Sequence, residues 1–197
     1  METGSWIGIG IIIALVIWVV SIFNNLVSLR NRVKNGFSQI DVQLTRRHDL
    51  IPSLVEAVKG YMSHERGTLE DVVRARNAAV TGLQNAAADP SDAEAIKKLA
   101  AAEGTLNGAL GRLFALAEAY PDLKANESFR HLQTRITGLE NDIADRREFY
   151  NASVNANNVR IEQFPDVIVA RLLGFKSARL LQFEATAVAD VNLAAMF

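Results

Sequence analysis

His64 and Glu65 stand side by side as the first half of a His-Glu-x-x-His pattern, in which two histidines one helical turn apart hold zinc and the glutamate serves as base. Position 68 is threonine, so the second ligand is missing and the zinc reading ends there. His48 and His131 are isolated in the chain, and a lone histidine on a helix is ordinarily structural. The 197 residues include 0 cysteines, which excludes disulfides, thiolate metal sites and thiol nucleophiles together. No Gly-x-Ser-x-Gly elbow and no glycine-rich phosphate loop occurs. Aspartates and glutamates are plentiful, but scattered on helix faces they solvate and pair at i, i+4 spacing. A hydrolase built from them would need one in an enclosed pocket with a raised pKa. The residue types therefore lead to the expectation of no enzyme, no cofactor and no metal. A formal net charge of −1 leaves no chain-wide basic surface for nucleic acid.

What the chain offers in place of chemistry is an anchor. Ile7 to Phe23 is an unbroken apolar run, and no charge occurs between Glu2 and Arg30. At ~1.5 Å per residue, the stretch extended through Leu26 and Val27 reaches the ~30 Å of hydrocarbon in a bilayer. A cleaved signal peptide fits less well, since the leading segment carries Glu2 and the run exits into Asn24-Asn25 without a small-x-small site. Trp6, Ile11, Leu15, Trp18 and Phe23 are the expected anchor residues, with Trp6 where an interfacial aromatic belongs. Gly4 with Gly8, and Gly10 with Ala14, have the small-x-x-x-small spacing that lets two membrane helices approach closely. Arg30, Arg32 and Lys34 follow the run and no base precedes it, which predicts a short outer N-terminus and an inner soluble part. The same three bases can meet anionic headgroups. Arg46 and Arg47 lie on the order of 20 Å farther along a straight helix, where polar neighbours are the expected company.

Beyond the anchor the class is all-α, because no alternating pattern lasts long enough for a strand. Val33, Phe37, Ile40 and Leu44 carry the first helix out of the membrane on one apolar stripe. Pro52 must kink or restart it, and Leu50, Leu54, Val58 and Tyr61 continue the stripe. A bend is expected near residues 60–64, then a second helix marked by Leu69, Val72, Val73, Arg76, Val80 and Leu83, ending before Asp89-Pro90. Ser91-Asp92-Ala93-Glu94 reads as a capping box with Ser91 as the cap. The helix it opens has the seam Ile96, Leu99, Glu103, Leu106, Leu110, Leu113, Ala117 and Tyr120, with Glu103 the polar interruption. Pro121 closes it.

Asn126 caps a last long helix, ~58 Å if unbroken to Pro165. Its seam runs from Phe129, Leu132, Ile136, Leu139 and Ile143 into Arg146, Tyr150, Ser153 and Asn157. The polar half is read as half-exposed surface or as an oligomer contact through Arg146, Tyr150, Asn157 and, from the tail, Phe183. After Pro165 a short apolar segment stops at Gly174. The tail carries Leu180, Leu181, Phe183, Val188 and Met196 and needs a cover.

Several stretches resemble one family. They are Leu29-Arg30-Asn31-Arg32-Val33-Lys34-Asn35, Gln39-Ile40-Asp41-Val42-Gln43-Leu44, Arg46-Arg47-His48-Asp49-Leu50-Ile51-Pro52, His64-Glu65, Ala75-Arg76, Tyr120-Pro121-Asp122-Leu123-Lys124-Ala125-Asn126, Tyr150-Asn151, Phe164-Pro165 and Gly174-Phe175. Together they make the chain similar to the LemA family over nearly its whole length. Family members often have Tyr-Asn where this chain has Asn157-Asn158, leaving that turn more polar. The resemblance implies a single-pass bacterial membrane protein with an antiparallel helical bundle, and it implies no settled activity; some relatives are associated with membrane organelles in bacteria.

The expected architecture is an all-α chain with one N-terminal transmembrane helix continuing into an antiparallel bundle of long helices. Residues 1–5 form the short outer N-terminus, 6–27 the anchor, 28–174 the bundle and 175–197 an apolar tail packed on the bundle or on a neighbouring subunit. The expected function is a non-enzymatic scaffold in the bacterial inner membrane that self-associates as a homo-oligomer and organises or shapes that membrane. The alternative is an adaptor tethering a partner such as a membrane protease or signalling component. The expected partners are the lipid bilayer, further copies of the chain and a membrane protein, with no nucleic acid.

Overall fold

A computed structural model describes the backbone of residues 3–183 and the surroundings of side chains from Trp6 onward. Among these residues there are six helices and no strand: α1 (Thr3–Lys59), α2 (Arg66–Ala88), α3 (Ala93–Ala117), α4 (Pro121–Ala125), α5 (Glu127–Glu162) and α6 (Asp166–Leu172). The fold class is all-α, with one long apolar N-terminal helix leading into a bundle. The expectation placed in the tail beyond Phe183, at Val188 and Met196, lies outside the described residues.

Helix α1 has 57 residues, ~86 Å of rod, and the other described elements are docked on it from Ile22 onward. Its stripe Val33, Phe37, Ile40, Leu44, Ile51, Leu54 and Val58 is buried, with Arg47 and His48 filling the gap between Leu44 and Ile51, so the steps are three and four residues as in an amphipathic helix. α5 returns antiparallel to it: Arg146 reaches Gln39, Tyr150 meets Phe37 edge-on at 6.1 Å between ring centroids, and Ile161 packs near Ile22 and Leu26. Gly36 lets these two helices close up, since a Cβ there would stand 3.2 Å from Tyr150 Cα. α2 and α3 form a second antiparallel pair that completes the bundle away from the anchor.

Three expectations are corrected. Pro52 does not restart the helix; α1 runs through it to Lys59. A proline has no N–H for the carbonyl four residues back and its ring pushes that carbonyl aside. The carbonyl is His48 O, and Arg76 Nε of α2 donates to it at 3.2 Å, so the lost bond is replaced from outside the helix. Second, the cap of α3 is Asp92, whose carboxylate accepts from the Glu94 and Ala95 amides at 2.8 and 3.3 Å; Ser91 stands one residue too early. Third, α2 buries Leu69, Val72 and Leu83 as expected but fills the rest of its inner face with small residues in place of Val73 and Val80. Ala75, Ala79, Gly82 and Ala86 line the inner face while Val73 is exposed, and a Cβ on Gly82 would lie 3.3 Å from Leu99 Cα. The α2–α3 pair is backbone-close, which the larger apolar residues would forbid.

Other signals act as read. Asn126 Oδ1 accepts from Phe129 N at 3.0 Å and caps α5. Gly174, at φ +70, ends α6: its N–H and that of Phe175 reach back to Arg171 O and Ala170 O at 3.4 and 2.9 Å, the paired bonds of a Schellman motif. Glycine suits this left-handed position because it lacks a Cβ.

The Pro52–Arg76 arrangement predicts a coupling. Arg76→Met should cost about 1–2 kcal/mol, the loss of a hydrogen bond to a buried carbonyl. In a Pro52→Ala background the helix supplies its own N–H, and the same substitution should cost clearly less. Urea unfolding of the detergent-solubilised chain and its three variants measures the difference, and equal costs in both backgrounds would refute the account.

Candidate functional site

The membrane end comes first in the chain. Trp6, Ile11, Leu15, Trp18 and Phe23 are between 40 % and 68 % exposed, and of these Phe23 meets Phe175 edge-on. Gly8 and Gly10 have nothing within 4 Å of an added Cβ, and Ala14 is exposed beside them. The surroundings of Gly4 lie outside the described residues. One helix, α1, is long and apolar enough to cross a membrane. Of the flanking bases, Arg30 sits over the Phe175 ring at 5.3 Å and Arg32 over Phe149 at 5.6 Å, while Lys34 is exposed. Guanidinium groups over aromatic faces gain from the ring quadrupole while keeping edges free for water or phosphate.

Higher in the bundle sits the one group of charges that chemistry could recruit. Arg47, His48 and Glu103 are each at most 2 % exposed. Glu103 Oε2 pairs with Arg47 Nη2, and its Oε1 lies 2.9 Å from His48 Nε2. Arg47 Nη1 donates to Asn107 Oδ1 at 2.7 Å. Helix periodicity explains the meeting: Glu103 and Asn107 are one turn apart on α3, and Arg47 and His48 face them from the inner side of α1. Both Glu103 oxygens are therefore engaged and sealed from solvent. Such a set holds two helices in register, and a substrate has no approach to it. Arg47 Nε is left without a partner.

Glu140 of α5 is the second carboxylate of this region. Burial pushes its pKa above the ordinary 4.5, and the nearby Arg47 charge opposes the rise. It is partly exposed, and the open groove on the surface lies elsewhere, lined by Asn24, Val27, Ser28, Asn31, Arg32, Asn35, Gln39 and Phe149. Among the described residues no three His, Asp or Glu side chains converge as metal ligands. His64 and His131 are exposed.

The four residues expected at an oligomer contact are placed differently from one another. Tyr150 and Asn157 face inward and are buried within the chain, because the seam of α5 packs against α1 and the returning tail. The Tyr150 hydroxyl donates to Arg179 O at 3.0 Å, and burial pushes its pKa up to about 12. Arg146 is exposed and donates to Gln39 Oε1 at 3.2 Å, and Phe183 is half-buried under Arg147 at 4.7 Å.

Sequence reasoning missed the residues that hold this tail. Asn158 donates to Ala178 O at 2.8 Å and accepts from Ala178 N at 2.9 Å. Asn151 does the same for Leu181, at 3.1 and 2.9 Å. Two asparagines two helical turns apart thus grip an extended strap by its backbone, and the Leu181 side chain is buried below. A carboxamide is the side chain that copies a peptide group, donor and acceptor together. Asparagines repeating at seven residues on the helix were the available signal.

A model of the LemA family matches residues 36–194. The chain is similar to magnetosome protein MamQ 2 of Paramagnetospirillum magneticum, 25 % identical over 186 residues, which covers 87 % of this chain and 68 % of that protein. It is similar to magnetosome protein MamQ of Magnetospirillum gryphiswaldense, 26 % identical, with 84 % and 66 % covered. Protein LemA of Metamycoplasma hominis is 26 % identical, with 86 % and 73 % covered.

Two carboxylates so differently placed should answer differently to neutralisation. Glu103→Gln leaves the buried Arg47 charge uncompensated and should cost about 3 kcal/mol or more. Glu140 has a raised native pKa, so the folded chain holds that proton more tightly than the unfolded chain. Its contribution is most favourable at low pH and declines as pH rises above 4.5 toward the raised value. Glu140→Gln should therefore leave stability at neutral pH equal or higher, by under about 1 kcal/mol given solvent screening, and flatten the acid-side pH dependence. Denaturant midpoints from pH 4 to pH 8, roughly spanning the carboxylate range, check both; a Glu140→Gln chain that is less stable at neutral pH would contradict the assignment.

Proposed function

This chain belongs to the LemA family, and on that premise we propose that it is a membrane-anchored helical scaffold whose work is contact, with no catalysis. In this reading α1 spans the inner membrane of a bacterium, the bundle stands on the cytoplasmic side, and copies associate to organise the membrane around them. The observation that carries the reading is a division of surface. The bundle's buried charges are spent on each other at Arg47, His48 and Glu103, whereas uncovered apolar surface is concentrated at the membrane end of α1. Sealed charges support fold and register; exposed apolar side chains support association with lipid or protein.

Self-association draws on the open small-residue face at Gly8, Gly10 and Ala14. Nothing stands within 4 Å of either glycine's added Cβ, so a second helix can lie backbone-close there. Relatives named for the magnetosome, matching 84 % to 87 % of the chain, support a role at a membrane. A second reading, an adaptor that holds a membrane-protein partner, is favoured by the groove between Asn24 and Gln39 on α1 and Phe149 on α5, which is polar, open and beside the bilayer.

Light scattering coupled to chromatography on the detergent-solubilised full chain at micromolar concentration should give a protein mass above that of one copy. Gly8→Ile together with Ala14→Ile should lower it. A strict monomer would retire the scaffold, and cross-linking in cells that yields one dominant foreign band would establish the adaptor in its place.

A further inference from the structure

Helix α6 is built the wrong way out for water. It turns Asp166, Val169 and Ala170 inward, with Asp166 paired to Arg160. Its outward residues are Ile168, 51 % exposed, and Leu172, 79 % exposed, one turn apart, with a single charge, the exposed Arg171, beside them; Phe164 before it and Leu173 after it are 81 % and 53 % exposed. A solvated helix carries charges on that face, and four large apolar side chains standing together mark a surface that meets something apolar.

Its position says what that is. Val169 and Ala170 pack on Ile22 and Leu26 of α1, together with Ile161 and Phe175. Ile22 and Leu26 are the first buried residues met along α1 after a run of uncovered apolar side chains from Trp6 onward, so α6 sits where the anchor leaves the hydrocarbon. The apolar face of α6 is thus continuous with the apolar surface of the anchor. Between Phe164 and Arg179 the exposed ionisable residues are Arg171, Lys176 and Arg179, all basic, and Arg30 stands over Phe175 at the same level. Apolar side chains flanked by bases are the makings of a segment lying in the headgroup boundary, with its apolar face ~5–10 Å deep.

The geometry points to α6 as a second, interfacial membrane contact: Phe164, Ile168, Leu172 and Leu173 enter the bilayer beside the anchor while Arg171 and Lys176 meet phosphate headgroups. The occupant of this face is lipid. The inference rests on the reading that α1 spans the membrane, and it adds to that reading a lateral foot in one leaflet. Because the span already holds α6 at the surface, a helix of 7 residues needs no binding strength of its own to stay there. A foot entering a single leaflet displaces headgroups on that side alone, the asymmetry by which an amphipathic segment responds to curvature.

The absence of cysteine makes the test direct. Single variants Ile168→Cys, Leu172→Cys, Leu15→Cys and Lys59→Cys of the full chain are labelled with the environment-sensitive dye NBD. They are placed one chain per nanodisc in phosphatidylethanolamine with phosphatidylglycerol. Labels at 168 and 172 should be quenched several-fold more by a shallow doxyl lipid than the label at 59, and should be shielded from iodide. Labels at 168 and 172 that behave like the one at 59, with the label at 15 quenched by a deep doxyl lipid, would overturn the foot and leave the anchor standing. An unquenched label at 15 would remove the anchor reading itself. Shielding that appears only with several chains per disc would assign the face to a second copy and also overturn the proposal.

Discussion

A helix apolar on every face needs apolar surroundings on all sides, and one apolar along a stripe needs a cover on that side alone; α1 is both in succession. The change falls at Ile22 and Leu26, the first buried residues along it, and that point sets the height of everything else. Because α1 continues unbroken to Lys59, the bundle is registered on the same rod that carries the uncovered apolar run. Any rotation or shift of α1 would be carried along the stripe from Val33 to Val58 without a joint to absorb it. The proline that might have been a joint is bridged at His48 O by Arg76 of α2, which ties the helix at its weakest bond to a neighbour.

Apolar stripes alone specify such an arrangement poorly. α1 and α3 present long rows of Leu, Ile and Val that would pack nearly as well one turn out of place, as seams of this kind do. The Arg47–Glu103–His48 set removes that freedom, since a one-turn slip would strand a buried carboxylate and a buried guanidinium. Desolvating these groups costs most of what their attraction returns, so their effect is on which register forms more than on how stable it is. The small-residue approaches act in the same sense. Gly36 against Tyr150 and Gly82 against Leu99 allow the helices to approach most closely at those heights, where an added Cβ would stand 3.2 and 3.3 Å from the facing Cα.

What the chain discloses before folding is divided by distance along it. The anchor, the α3 seam, the Asn126 cap and the Gly174 stop are local: periodicity, one side chain and its amide, one glycine with positive φ. These were legible. Glu103 announced itself as a charge on a seam, but its partners stand on another helix, and nothing near Arg47 or His48 in sequence names them. Pro52 reads as a break for the same reason, since the residue that compensates it lies in α2. The Ser91 reading failed by one position because Asp92 offers the same capping chemistry with a stronger acceptor. Tyr150 and Asn157 looked like outward contacts because a polar seam has no visible cover until the tail is placed over it.

That tail joins the two ends of the structure. Asn151 and Asn158 hold its backbone at Leu181 and Ala178, and Tyr150 holds it at Arg179 O, so the strap is fixed to α5 largely without regard to its side chains. Toward the membrane it begins at Phe175, whose ring meets Phe23 edge-on at 6.0 Å and lies under Arg30. The strap and the Gly174 turn therefore clamp α6 between α5 and the top of the anchor. Without them α6 would be held by Val169 and Ala170 on Ile22 and Leu26 and by the Asp166–Arg160 pair, and its apolar face would be less firmly directed. With them, that face is aimed at the level where α1 loses its protein cover. Asn151 and Asn158, partly buried on α5, thereby set the orientation of α6 beside Ile22 and Leu26.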